Sequence, residues 1–134
     1  MCIRDRVYFA TYPGNSTYPG PGNYRGGVMS VDARTLEVET VVNSYFGLPF
    51  NSIDDIVWVT QGNDRYMFFS DLYYDSYEFT KVPIPSMPNQ VWRWDTQQEV
   101  LLPVINRNEV SPNGVRVSPA VSYTHLTLPT KRIV

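Results

Sequence analysis

Cysteine and histidine are almost absent from this 134-residue chain, which contains one residue of each. Cys2 lies near the N-terminus and His125 near the C-terminus, so the long stretch between them has neither a thiol nor an imidazole. Disulfides, thiol nucleophiles, Ser-His-Asp triads and zinc sites built from cysteine and histidine are therefore excluded from that stretch.

Long apolar runs, helical periodicity and basic patches are missing as well. No run approaches the roughly 18 apolar residues of a membrane span, and no signal peptide is visible. Aromatic and β-branched residues are plentiful, which predicts an all-β chain. The chain has 11 Lys and Arg residues against 13 Asp and Glu residues. We therefore expect neither nucleic acid nor a membrane as a partner.

The two ends of the chain can be encoded by one DNA word read in opposite directions. ATG TGT ATA AGA GAC encodes Met1–Asp5, and its reverse complement encodes Val121–His125. This inverted pair resembles the translated adapter ends of assembled short-read sequences; a terminal inverted repeat in a gene is the alternative. We expect residues 1–6 and 121–134 to be such additions, so fold and function are argued from 7–120. Removing them takes four of the 11 basic and one of the 13 acidic residues, leaving a net charge of −5.

Short apolar segments alternate with turn signals along residues 7–120. Strands are predicted at 7–12, 27–32, 36–42, 53–60, 65–70, 90–95 and 99–105. Turns are predicted at 32–35, 61–64 and 96–98, and longer loops at 13–26, 43–52 and 71–87. Pro103 lacks the amide that an inner strand donates to its neighbour, so the strand 99–105 should be an outer edge.

An internal repeat organises these strands. Val28–Asp32 matches Val91–Asp95 at an offset of 63 residues, and Ser52–Val57 matches Ser111–Arg116 at an offset of 59. A period near 60 with four strands suits a β-propeller of four-stranded antiparallel blades, and a sandwich of hairpins is the rival.

On the propeller prediction, 7–52 is the end of one blade, 53–105 one full blade and 106–120 the start of the next. About two blades are fewer than the four that closure requires. We therefore expect the chain to be a fragment of a larger protein.

A few polar residues stand out as candidates for chemistry. The amide oxygen of Asn113 suits a hard cation such as calcium, although Pro112 and Gly114 around it are equally typical of a plain turn before a strand. Asp71 ends a strand, where it either faces a channel or is a solvated carboxylate. Asp55 follows Asp54 on the opposite side of a strand and is expected to cap a turn.

One triplet bears on the compartment of the protein. Asn15-Ser16-Thr17 is a glycosylation sequon and a weak hint of secretion, and such triplets also arise by chance. The compartment is otherwise left open by the sequence.

Several motifs, in order, resemble a known family. PNQVWRWD at 88–95 followed by SPNGV at 111–115 is similar to "LPNQVYRFD … KPNGIAFSPDG". YFG at 45–47 with FNSIDDI at 50–56 is similar to "YFGRQFNSLNDV", and FFSD at 68–71 to "YFTD". Together they resemble the SMP-30/gluconolactonase group, and most of all its fungal-type lactonohydrolase branch, over most of residues 24–119.

The resemblance implies a six-bladed propeller that holds one divalent cation, usually calcium, in its central channel. Members open small-molecule lactones, with the cation polarising the carbonyl for attack by water. Asn113 falls on the family's asparagine metal ligand. Asp54 falls on an asparagine at the substrate side of the channel, and Asp71 on the aspartate of "YFTD". The family's other ligands, a glutamate and an aspartate, would lie outside this segment.

The aspartate at position 54 departs from the family. A carboxylate accepts hydrogen bonds, whereas the amide of asparagine also donates them. Asp54 could therefore strengthen cation binding and weaken substrate binding. The alternatives to a hydrolase are a propeller that binds a ligand or partner without hydrolysis, and a truncated chain that has no activity by itself.

Overall fold

The structure is a computed structural model that describes residues 5–11, 25–72, 87–106, 112–117 and 126–127. Its regular elements are strands, and no α-helix occurs in the described ranges. The all-β prediction is confirmed. The described residues also contain no helix long and apolar enough to cross a membrane. The sequon at Asn15, residues 73–86 of the predicted loop 71–87, Ser111, Cys2 and His125 lie outside the described residues.

The described strands follow the predicted ones closely. They are β1 (Arg6–Thr11), β2 (Gly27–Asp32), β3 (Val38–Val42), β4 (Ser44–Tyr45), β5 (Leu48–Pro49), β6 (Ile53–Gln61), β7 (Asp64–Asp71), β8 (Gln90–Asp95), β9 (Val100–Asn106), β10 (Arg116–Val117) and β11 (Leu126–Thr127).

The segment 43–52 differs from its prediction as a loop. It contains a small hairpin in which β4 and β5 pair antiparallel, with Ser44 opposite Pro49. Phe46 and Gly47 make the turn, with φ of 47° and 81°. Two consecutive positive φ angles suit a tight hairpin. A phenylalanine in that conformation is uncommon, so composition did not reveal the turn.

The chain divides into two compact units, of which the first comprises Met1–Ile53 with Tyr74–Met87. Its main sheet has the order β1-β2-β3, and both pairs are antiparallel. Val28, Val42 and Phe50 are buried. The Nδ2 of the buried Asn51 donates to the carbonyl oxygen of Met87 at 3.1 Å. This bond anchors the segment before β6 within the first unit.

The second unit comprises Asp54–Tyr73 with Pro88–Val134 and contains a four-stranded sheet of order β6-β7-β8-β9. In that order β9, which carries Pro103, is an edge strand, as predicted. Phe68, Val91 and Val115 form a buried cluster. Partly buried hydrophobic residues pack against it: Val57, Val59, Tyr66 and Ile105. Four neighbouring strands in chain order make a sheet that resembles a propeller blade.

The repeat seen in the sequence has a structural counterpart in the turns after β2 and β8. The Oδ1 of Asp32 accepts the backbone N–H groups two and three residues further on at 2.8 and 2.9 Å. The Oδ1 of Asp95 does the same at 2.9 and 3.1 Å. Four residues after each aspartate, Leu36 and Glu99 have positive φ of 62° and 53°. Both turns are therefore built in the same way.

The same offset of 63 residues relates the irregularities of the two sheets. The β2–β3 register shifts between Val28 and Met29, and the β8–β9 register shifts between Val91 and Trp92. A β-bulge puts one extra residue on one strand and increases the local twist. Two sheets with the same turn and the same bulge are what repeated blades would show, and the blade boundaries drawn from the sequence stay a prediction.

Strands β10 and β11 form a two-residue ladder with Arg116 opposite Thr127 and Val117 opposite Leu126. β10 lies within the stretch expected to begin a further blade. β11 belongs to the segment 121–134 that the sequence predicts to be an addition. A pairing of two residues does not test where that segment comes from, so its origin stays a prediction.

Candidate functional site

The end of β7 meets the beginning of β6 at a single hydroxyl group. Ser70 lies one residue before the end of β7, and Asp55 is the third residue of β6. The Oγ of Ser70 accepts a hydrogen bond from the backbone N–H of Asp55 at 3.1 Å. The same Oγ donates to the backbone carbonyl of Asn113 at 3.0 Å. Ser70 is fully buried, so its hydroxyl has no access to water.

The carboxylate of Asp55 adds a second set of contacts at the same place. Its Oδ1 accepts the backbone N–H of Ile56 at 2.9 Å, and its Oδ2 accepts that of Val115 at 3.0 Å. The guanidinium NH1 of Arg116 also donates to this Oδ2 and forms an ion pair with it. Ser70 and Asp55 therefore hold the backbone immediately before and after Gly114.

These contacts differ in strength. The side chain of Arg116 is 69% exposed, so its ion pair with Asp55 is screened by water and contributes little. Val115 is fully buried and belongs to the core cluster of the second unit. Its N–H therefore needs an acceptor, and hydrogen bonds to an ionised acceptor are about twice as strong as neutral ones. The bond from Val115 to Asp55 is the more important of the two.

The three residues predicted to form the site each adjoin this network. Asn113 is exposed and supplies the carbonyl that Ser70 contacts. Asp54 is half-buried and directly precedes Asp55, whereas Asp71 is fully buried and directly follows Ser70. The backbones of the three predicted residues thus meet around the Ser70 hydroxyl. Their roles as ligand and substrate contacts stay predictions.

The donor set has a definite chemical character. In the described part of the chain, no group of three or more His, Cys, Asp or Glu side chains is placed to hold a metal ion. The predicted residues offer one amide group and two carboxylate groups, and oxygens of these kinds are the donors that calcium prefers. These donors suit such a cation in chemical type, and a calcium site at these residues stays a prediction.

Asp55 corrects one interpretation of the sequence. The prediction that Asp55 caps a turn is wrong, because the residue lies inside β6 and binds a backbone amide 60 positions away. Its carboxylate also forms an ion pair with Arg116. No local signal in the sequence reveals this pair, because matching segments of a repeat occupy equivalent positions in successive units and do not on that account touch.

Two proteins from Aspergillus oryzae are similar to this chain. Lactonohydrolase oryL is 26% identical over 121 residues, which cover 90% of the chain and 27% of oryL. Lactonohydrolase oryH is 37% identical over 67 residues, which cover 50% of the chain and 14% of oryH. The chain thus spans less than a third of the length of either relative. No family model matches the chain, and no solved structure matches it.

Proposed function

We propose that this chain is part of a lactone hydrolase. The observation that carries the proposal is its similarity to two proteins named lactonohydrolases, one of which matches across 90% of the chain. The antiparallel, blade-like sheet of β6–β9 supports it, because propeller blades of this kind surround a channel where ligands bind. The substrate class is a small-molecule lactone.

The reaction adds water across the ester bond of the ring. The water oxygen forms a bond to the carbonyl carbon, the bond to the ring oxygen breaks, and the product is a hydroxy acid. A divalent cation, in our proposal calcium, would supply Lewis-acid polarisation of the carbonyl. Within this chain, Asn113, an exposed residue, would hold the cation through its amide oxygen.

Asp54 and Asp71 would complete the contribution of this segment. Asp71 is fully buried at the end of β7, where a carboxylate is stable only with hydrogen-bonding or cationic partners. Asp54 is half-buried at the start of β6. An ionised Asp54 accepts but does not donate, so it would bind a cation or accept a hydrogen bond from a substrate hydroxyl.

The test is lactone hydrolysis by the intact protein that carries this segment. Opening a lactone near pH 7 releases a proton, so a pH-stat follows the rate with a panel of five- and six-membered lactones. We expect activity that a calcium chelator removes and added calcium restores. Activity that persists unchanged after chelation would refute the proposed dependence on a cation. If no lactone is hydrolysed, the proposal that the protein is a lactone hydrolase is refuted.

Variants locate the cation in the site. We expect Asn113→Ala to lower calcium affinity and hydrolysis together, because one oxygen ligand is lost. Asn63→Ala is the matched control, since Asn63 is an exposed asparagine in the turn between β6 and β7. If the two substitutions have equal effects, Asn113 is not a ligand of the cation.

A second candidate function is ligand binding without hydrolysis, and the aspartate at position 54 favours it. If the carboxylate prevents catalysis, the unmodified protein binds lactones but does not open them, and Asp54→Asn gains hydrolysis. If the protein is a hydrolase, the unmodified form is already active. Comparing the two forms by calorimetric binding and pH-stat rates decides between the candidates.

A further inference from the structure

The segment Pro112–Arg116, which we call the Asn113 segment, depends on side chains for its placement. Its residues 112–115 are not part of a strand. Pro112 has no backbone N–H to donate. Fixing the backbone of a residue costs about 1–2 kcal/mol of conformational entropy, and glycine loses the most freedom. Gly114 follows Asn113 directly, so contacts from elsewhere must restrict this part of the chain.

Those contacts come from Ser70 and Asp55 and act on both sides of Gly114. On one side, the Ser70 hydroxyl donates to the carbonyl of Asn113 at 3.0 Å. On the other, the Oδ2 of Asp55 accepts the N–H of Val115 at 3.0 Å. The two restraints are themselves joined, because the N–H of Asp55 donates to the same Ser70 hydroxyl at 3.1 Å. The Asn113 segment is held as one unit.

We propose that Asp55 is a positioning residue that sets the side chain of Asn113 for cation binding. This inference rests on the proposed function, in which Asn113 is a ligand, and it adds a residue that does not itself touch the cation. Its carboxylate fixes Val115 directly. Its backbone N–H bonds the Ser70 hydroxyl, which in turn holds the carbonyl of Asn113. The exposed ion pair with Arg116 adds orientation rather than strength.

The chemistry requires a carboxylate at position 55 rather than an amide. Both oxygens of Asp55 are occupied, Oδ1 by the N–H of Ile56 and Oδ2 by that of Val115. Asparagine has one acceptor oxygen, so in Asp55→Asn an NH2 group faces one of these two donors. The substitution keeps size and shape but releases one backbone contact, and it removes the partner of Arg116.

The experiment measures calcium affinity and backbone protection in the same intact protein. Removing a partner that orients a metal ligand typically lowers metal affinity about 10–100-fold. We expect calorimetric titration of Asp55→Asn with calcium to show a loss in that range. We also expect faster hydrogen exchange at Val115, because its N–H then faces either an NH2 group or an uncharged oxygen instead of a carboxylate. Asp95→Asn is the matched control, because Asp95 also accepts two backbone amides but lies in the turn after β8. Its calcium affinity should be unchanged.

Ser70→Ala is the second variant, in case Asp55→Asn does not fold. It removes the bond to the Asn113 carbonyl and leaves the carboxylate in place, and we expect a calcium loss in the same direction. Normal calcium affinity in either folded variant, with Asn113→Ala defective, would overturn the positioning role and leave the proposed site intact. Normal affinity in Asn113→Ala would overturn the proposed site and the positioning role with it.

Discussion

Replacing Ser70 with alanine removes one buried hydroxyl and two hydrogen bonds. The N–H of Asp55 loses its acceptor at 3.1 Å, and the carbonyl of Asn113 loses its donor at 3.0 Å. The methyl group that remains should fit the strand. In the first sheet, Ala10 lies opposite Val28 as Ser70 lies opposite Val91, so the repeat already carries alanine at the equivalent position.

The expected cost follows from the two bonds. Each hydrogen bond contributes about 1 kcal/mol net, and a buried polar group left without its partner costs about 1–3 kcal/mol. Partial relaxation reduces the sum, so we expect Ser70→Ala to lower the free energy of unfolding by about 2 kcal/mol. No cavity cost is added, because only an oxygen atom is lost.

Urea unfolding of this chain, followed by tryptophan fluorescence, reports the stability of the unit that contains Ser70. All three tryptophans of the chain lie in the second unit, Trp58 in β6 and Trp92 and Trp94 in β8. At a urea m value of about 2 kcal/mol/M, a loss of about 2 kcal/mol lowers the midpoint by about 1 M. The m value itself should not change.

Gln98→Ala is the control, since Gln98 is exposed in the turn after β8. Its midpoint should stay within the equivalent of about 0.5 kcal/mol. A Ser70→Ala variant as stable as this control would refute the reasoning, because it would show that the Asp55 amide and the Asn113 carbonyl do not depend on the hydroxyl.

Three further predictions concern the backbone and the turns. Gly27→Ala should destabilise the β1–β3 sheet by roughly 1–3 kcal/mol, because a Cβ there would lie 2.9 Å from the Cα of Asn43. Faster hydrogen exchange of those strands would support this prediction, and unchanged exchange would contradict it. Glu99→Gly should raise the free energy of unfolding of the second unit, measured by urea denaturation, by up to about 1 kcal/mol, since glycine removes the strain of φ 53°. A lower free energy of unfolding would contradict the presence of that strain. The backbone N–H of Thr35, followed by that of Arg34, lowers the pKa of Asp32 below its ordinary 3.8. The stability from this carboxylate is therefore present above about pH 4 and lost as pH falls through the lowered pKa. Asp32→Asn should make the acid dependence of unfolding shallower, and an unchanged dependence, or an ordinary pKa by carboxyl NMR titration, would contradict this.

The strands and their turns were predictable because their causes are local. Proline has no amide to donate, so Pro103 alone placed β9 at a sheet edge. The turns predicted at 32–35 and 96–98 are held by an aspartate side chain, of Asp32 and Asp95, that reaches the amides two and three residues ahead of it. The hairpin at 44–49 was missed because its turn uses a phenylalanine where the local pattern asks for glycine or asparagine.

The contacts around the candidate site were decided by tertiary structure. The sequence and its family resemblance marked Asn113, Asp54 and Asp71, yet the sequence assigned Asp55 to a turn. Asp55 meets Val115 across 60 positions of the chain, and Ser70 meets Asn113 across 43. Nothing in the immediate neighbours of these residues encodes such distances. They follow from the pairing of β6 with β7 and from the burial of Val115 in the core, which bring the two matching segments of the repeat into contact.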